Sequence, residues 1–268
     1  MNLKVTVLGS GTSHGVPSIG CDCAVCRSAD PRDRRLRPSI VVELQPEGPQ
    51  PPLASAVRSI LIDTSTDLRT QALTHDLRRV DAILFTHSHA DHVLGLDETR
   101  RYNAMQEAPI GCYGASDTLA DIRGMFSYIF RPPRQHGGGV PQLKLFELAG
   151  PFTMGGLDIV PVPLWHGRLP ILGYRMGAFA YLTDCSRIPD ASWSLLEGVR
   201  VLVIGALRHR PHPTHFSVAE ALEAVARIGP TRAYFTHICH DLPHAETCAA
   251  LPDGVQLAYD GLVLDVRG

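Results

Sequence analysis

The run His87-Ser88-His89-Ala90-Asp91-His92 constrains this chain more than any other stretch, because it sets four potential metal ligands within six residues. It follows directly on Ala82-Ile83-Leu84-Phe85, which reads as a strand. In an extended segment alternate side chains point the same way, so His87 and His89 can grip one cation. Asp91 and His92, where the chain turns into a helix, can face a second. Imidazole and carboxylate are ligands that zinc and manganese both accept. Polar residues at strand ends are also where sites are usually built.

The rest of the chain supplies more strands of the same kind. β-Branched residues cluster between glycine- and proline-rich stretches at 3–8, 39–44 and 58–62, and again near 143–148, 157–162, 171–182, 200–204, 231–235 and 261–266. One helix is well marked: Ser217-Val218-Ala219-Glu220 has capping-box spacing, and Val218, Leu222, Val225 and Gly229 trace one face. The proline-rich segment 47–52 reads as a long solvated hairpin loop. Strands lead in each half and helices are interspersed, with a loose likeness between the halves. The layer rule then favours an α/β (α+β) fold, an αββα sandwich of two mixed sheets flanked by helices. No linker interrupts the 268 residues, so one domain over 1–268 is expected, and 44% hydrophobic residues can fill its core.

Single candidates recur behind the first motif. His166 follows an apolar stretch ending at Trp165, Asp184 follows Tyr181-Leu182-Thr183, and His237 follows Ala233-Tyr234-Phe235-Thr236. Each alone reads as a hydrogen-bonded surface residue. Taken in order with His-x-His-x-Asp-His, they resemble the metallo-β-lactamase superfamily of αββα hydrolases along nearly the whole chain. The resemblance implies one metal on His87, His89 and His166, a second on Asp91, His92 and His237, and Asp184 as the bridge. An aspartate in that place matches the phosphodiesterase and glyoxalase branches, whereas many β-lactamases carry cysteine.

Seven cysteines are present, three of them in Cys21-Asp22-Cys23-Ala24-Val25-Cys26 within a loop at 20–27. Neighbouring thiols suit one metal better than separate disulfides. Three cysteines and a histidine make a closed, structural zinc site. The combination of this loop with Thr236-His237-Ile238-Cys239-His240 is similar to the phosphoribosyl 1,2-cyclic phosphate phosphodiesterase family. By that resemblance the ligands are Cys21, Cys23, Cys26 and His240, with Cys239 a rival because of its proximity. Strand alternation would turn Cys239 away, unless the strand has ended. Cys112, Cys185 and Cys248 are isolated and read as small apolar side chains. The same family places a catalytic histidine shortly before the helix that precedes the last metal-binding strand, which selects His215 over His209 and His212 as proton donor, with Asp91 orienting the nucleophile. The role of His14 stays open.

The expected function is hydrolysis of a small-molecule phosphodiester by two divalent cations, zinc or manganese, beside one structural zinc. A net charge of −2 offers no basic field for a nucleic-acid backbone. The absence of a basic inserted arm disfavours a ribonuclease Z-like nuclease, and a thioesterase leaves the cysteine loop without a purpose. A non-catalytic role like that of the pyrroloquinoline quinone biosynthesis protein conflicts with the intact metal motif. No secretory leader or membrane span is visible, so a cytoplasmic protein without membrane partners is expected. A homodimer is compatible with the sequence.

Overall fold

The computed structural model describes residues 1–45, 57–131 and 139–267, and the loop expected at 47–52 lies outside them. All four residues of the strand Ser59–Ile62 are buried. The pleat sends neighbours to opposite faces, so Ile60 and Ile62 join one apolar cluster and Leu61 another. Val201–Gly205 repeats the pattern, with Val201 and Val203 in the first cluster and Leu202 and Ile204 in a third. Strands apolar on both faces need cover on both faces, and four layers provide it.

The earlier part of the chain forms β1 (Asn2–Gly9), β2 (Ser39–Gln45), β3 (Ser59–Ile62), β4 (Ala82–Leu84), β5 (Ile110–Gly114) and β6 (Leu143–Glu147). The later part forms β7 (Phe152–Met154), β8 (Leu157–His166), β9 (Leu169–Met176), β10 (Phe179–Leu182), β11 (Val201–Gly205), β12 (Arg232–Thr236), β13 (Val255–Leu257) and β14 (Val263–Val266). They make two seven-stranded sheets, ordered β14-β1-β2-β3-β4-β5-β6 and β13-β12-β11-β10-β9-β8-β7. Pairing is antiparallel from β14 to β3 and parallel from β3 to β6. The second sheet is antiparallel from β7 to β10 and parallel from β10 to β13. The likeness between the halves is this shared pairing scheme.

Ile60, Ile62 and Leu84 of one sheet meet Ile159, Tyr174, Phe179 and Val203 of the other in the central core. Helices Leu68–Thr74, Arg100–Gln106 and Ser116–Met125 cover the first sheet with Leu68, Tyr102, Leu119 and Ile122. Helix Val218–Ile228 covers the second with Val218, Ala221, Ala224 and Val225. The fold is the αββα sandwich expected. No helix among the described residues is long and apolar enough to cross a membrane.

Two strand expectations need correction. The single strand expected at 171–182 is the hairpin β9–β10, turned at Gly177, whose φ of 57° is open to glycine at little cost. The strand expected to stop at 162 continues to His166 despite Pro161 and Pro163. Proline has no N–H for a ladder, but β7 pairs β8 only at 157–159 and the bridge from Trp165 to Arg187 comes later, so Pro161 and Pro163 sit where β8 pairs with β9 alone.

Candidate metal centre

Strands β3, β4, β10 and β12 deliver their carboxyl ends to one edge of the sandwich, where open α/β sheets hold ligands. His87 and His89 follow β4, and the short helix Ala90–Val93 carries Asp91 and His92. His166 ends β8, Asp184 stands two residues beyond β10, and His237 directly follows β12. Their ligand atoms form two groups, His87 with His89 and His166, and Asp91 with His92, Asp184 and His237, each within 4.8 Å. Asp184 reaches both groups. One of its carboxylate oxygens lies 3.1 Å from His237 Nε2 and 3.9 Å from His87 Nε2, and the other 3.3 Å from His92 Nε2.

The donor set fits cations. His87 Nε2, Asp91 Oδ2, His92 Nε2 and both ring nitrogens of His237 are buried without a hydrogen-bond partner among the described residues. Buried polar atoms are ordinarily paired, and five of the eleven unpaired ones among the described residues sit on these grouped ligands. Charge points the same way. Burial pushes the Asp184 carboxyl up, but the charges of His237 and His92 outweigh it and hold it well below the usual carboxylate range. Asp91 is likewise held down against its burial by His92 and His237. Burial pushes His92 down, yet Asp184, Asp63 and Asp91 hold it well above an ordinary imidazole. Ionised carboxylates shielded from water call for positive charge beside them.

An outer ring of residues sets the imidazoles. Asp63, directly after β3, accepts from His92 Nδ1 at 2.7 Å and from the backbone N–H and hydroxyl of Thr86, both at 2.8 Å. His166 Nδ1 donates to the Thr214 carbonyl at 2.7 Å, and Thr183 donates to Asp184 at 2.6 Å. Such partners fix the tautomer that leaves Nε2 for a metal. Asp63, Asp184 and His237 have φ of 62°, 54° and 56°, a left-handed backbone that non-glycine residues adopt at some cost and mostly at functional sites. The sequence reading passed over Asp63 and Thr86. Asp63 was visible only as part of a polar cluster after a strand.

His215 Nδ1 is 4.0 Å from Asp184, and its ring lies 4.6 Å from His166 and 4.7 Å from His237. Burial, then the charge of His237, push its imidazole down to about 3. At neutral pH that leaves the His215 imidazole uncharged. His14 and His209 are exposed and stand outside both groups. His212 is half-buried, its ring 5.1 Å from that of His215.

Cys21, Cys23, Cys26 and His240 form a separate group, with His240 Nδ1 3.3 Å from Cys21 Sγ and 3.4 Å from Cys26 Sγ. Cys239 is outside it, its sulfur accepting from the Asp241 N–H at 3.3 Å. The reason is not strand alternation, since β12 ends at Thr236. The buried Arg35 clamps this corner: it donates to the carbonyls of Cys239 and Leu242, pairs with Asp33 at 2.8 Å, and exchanges backbone hydrogen bonds with Val16. Cys112 and Cys185 are buried in the outer apolar clusters, and Cys248 is half-buried against one of them.

Residues 58–238 match the family described as the Beta-lactamase superfamily domain. A solved structure described as a new diphosphatase from the PhnP family is 44% identical, with a TM-score of 0.89, covering 99% of this chain and 98% of that one. The zinc-bound PqqB of Methylobacterium extorquens shares the fold at 20% identity and a TM-score of 0.77, covering 98% of this chain and 100% of that one. Among curated proteins, an octanoyltransferase of Porphyromonas gingivalis (strain ATCC BAA-308 / W83) is 38% identical over 99% of this chain. The chain spans about half that relative's length, 52%.

Proposed function

The chain belongs to the metallo-β-lactamase superfamily, and on that premise we propose that it is a binuclear metal-dependent phosphodiesterase whose substrate is a small cyclic phosphodiester, such as a phosphoribosyl 1,2-cyclic phosphate. The observation that carries the reading is the placement of Asp184, an aspartate with oxygens toward both ligand groups. The 44% identical diphosphatase of the PhnP family adds support for phosphoryl chemistry.

His87, His89 and His166 would hold one divalent cation, zinc or manganese, and Asp91, His92 and His237 the other, with Asp184 between. Bound there, a pair of cations supplies an acidified water and neutralises charge on the phosphoryl oxygens. The protein's own groups do the rest. Asp63 and the Thr214 carbonyl hold His92 and His166 in orientation. Asp91 orients the attacking water. His215 would relay the proton that the acidified water has already released to the leaving oxygen, a general-acid step worth typically 10²–10⁴-fold. Cys21, Cys23, Cys26 and His240 would hold a zinc with no open position, a structural role. The reading is of one hydrolase domain over 1–268, supported by β14 pairing with β1, and of a cytoplasmic setting, in keeping with the grouping of Cys21, Cys23 and Cys26 as ligands of one metal.

A diphosphate linkage is the second reading, favoured by the description of the 44% identical structure. Octanoyl transfer is disfavoured. That name belongs to a protein of which this chain matches about half, and Cys185, the thiol that adjoins Asp184 in the chain, is fully buried with its acidity suppressed by that burial. The test is a turnover screen of metal-loaded protein against cyclic ribose phosphates, cyclic nucleotides, bis(p-nitrophenyl) phosphate, a nucleoside diphosphate and an octanoyl thioester. Hydrolysis of a cyclic sugar phosphodiester is expected, and turnover confined to the thioester would overturn the reading.

A further inference from the structure

Of the five histidines in the two ligand groups, four are held by what surrounds them. His87 Nδ1 lies 3.0 Å from the Thr86 hydroxyl, His92 Nδ1 donates to Asp63 at 2.7 Å, and His166 Nδ1 donates to the Thr214 carbonyl at 2.7 Å. His237 is buried, its ring face to face with those of His92 and His215. His89 is the exception. It is exposed, and its ring has no hydrogen-bond partner among the described residues. Its ring neighbours are His87 and His166, its own co-ligands. Such a ligand must take its direction from the backbone that carries it.

That backbone is tied to a helix. Ser88, between His87 and His89, donates its hydroxyl to Asp121 at 2.6 Å. Asp121 lies on helix Ser116–Met125, which Leu119 and Ile122 seat in the outer apolar cluster together with Val93 and Leu96. Val93 and Leu96 belong to the same stretch as the ligands Asp91 and His92. Farther along, Tyr128 of the short helix Ser127–Phe130 donates to Asp97 at 2.6 Å. The ligand segment is thus bracketed by two bonds to neighbouring helices, at Ser88 and at Asp97, with apolar contacts between them. A hydroxyl bonded to a carboxylate is held roughly twice as strongly as one bonded to a neutral acceptor.

We propose that Asp121, acting through Ser88, is a positioning residue for His89 and so for the cation that His89 shares with His87 and His166. The inference rests on the binuclear reading and deepens it. Asp121 supplies from outside what the ring of His89 lacks, a fixed partner one residue away on a packed helix. A preset ligand spares a metal the entropy of ordering it.

The experiment is competitive chelator titration of the purified protein with zinc, beside the visible absorption of the cobalt-substituted protein, which reports ligand geometry. Ser88→Ala and Asp121→Ala should each weaken one zinc about 10-fold, the low end for an outer partner because Asp121 is exposed. The remaining zincs and the melting temperature of the loaded protein should stay near those of the parent. The double variant should be no weaker than either single one, since all three lack the same bond. Asp121→Asn keeps an oxygen that accepts from Ser88 and should restore both the affinity and the cobalt spectrum. Parental affinity in the alanine variants, additive losses in the double variant, or an Asp121→Asn protein as weak as Asp121→Ala would overturn the positioning role. Weakening of every metal with a lowered melting temperature would overturn it too, by showing a general loss of structure. The readout is metal affinity, so a parent that binds its zinc yet hydrolyses no phosphodiester would count against the proposed activity alone.

Discussion

His89 and His215 stand a few ångströms from the same cluster and should fail in different ways. His89 contributes a ring nitrogen to the group with His87 and His166, so His89→Ala should lose a metal and with it essentially all turnover. His215→Ala should keep its metals and lose rate in proportion to how badly the leaving group needs a proton. Its loss should reach about 10²–10⁴-fold on a sugar phosphodiester and be much smaller on a p-nitrophenyl ester. Equal losses on both substrates, or metal missing from His215→Ala by elemental analysis, would reject the proton-transfer role. At this scale most of the cluster was legible, because a run such as His87–His92 has little purpose other than binding cations. Asp63 was not, since an aspartate after a strand is common and only the fold brings it within 2.7 Å of His92. His215 was found, but its neutral state follows from burial and from His237, neither of which a sequence displays.

Helix Val218–Ile228 follows directly on the loop that carries His215, and its start is fixed by local chemistry. Ser217 Oγ accepts from the Glu220 N–H at 3.3 Å, and the Glu220 carboxylate accepts from the Ser217 N–H at 2.8 Å. Ser217→Ala should cost about 1 kcal/mol and lower the melting temperature by roughly 2–4 °C; an unchanged melting curve would contradict the cap. This helix was legible because its cap and its apolar face agree. The helices over the first sheet lacked such a cap signal, and none of the three named shows a side-chain cap. Strands β5, β7 and β13 were missed: β7 and β13 have three residues each, too few to display alternation, and β5 carries two glycines and a single β-branched residue. Helix His244–Ala250 adds a pH dependence. Burial, then the charges of Arg32 and Arg35, push His244 down to about 4, against about 6.5 when unfolded. The unfolded chain therefore takes up this proton first, so the linked stability is whole above about pH 6.5 and drains as pH falls toward 4. Melting temperature should decline across that window and less steeply in His244→Gln. The same slope in both proteins would remove His244 as a cause.

Across the whole molecule, two ligand groups share one short stretch. His237 belongs to the binuclear cluster and His240 to the cysteine group, and between them Ile238 exchanges backbone hydrogen bonds with Ser10 and Thr12 at the root of the cysteine loop. A four-ligand zinc there would knit the two ends of the chain together and stabilise the fold without touching substrate. Cys23→Ser should lower the melting temperature while leaving kcat of the surviving folded fraction close to the parent's; lost turnover at an unchanged melting temperature would invert the assignment. The central claim, two catalytic cations and one structural zinc, is tested most directly by titrating chelator-stripped protein with zinc while counting bound metal, melting temperature and hydrolysis of bis(p-nitrophenyl) phosphate at each step. The first equivalent should raise stability without turnover, and activity should then grow until about three metals are bound per chain, filling the three sites drawn from these ligand groups. Full turnover in the metal-free protein, or at a single bound equivalent, would contradict it.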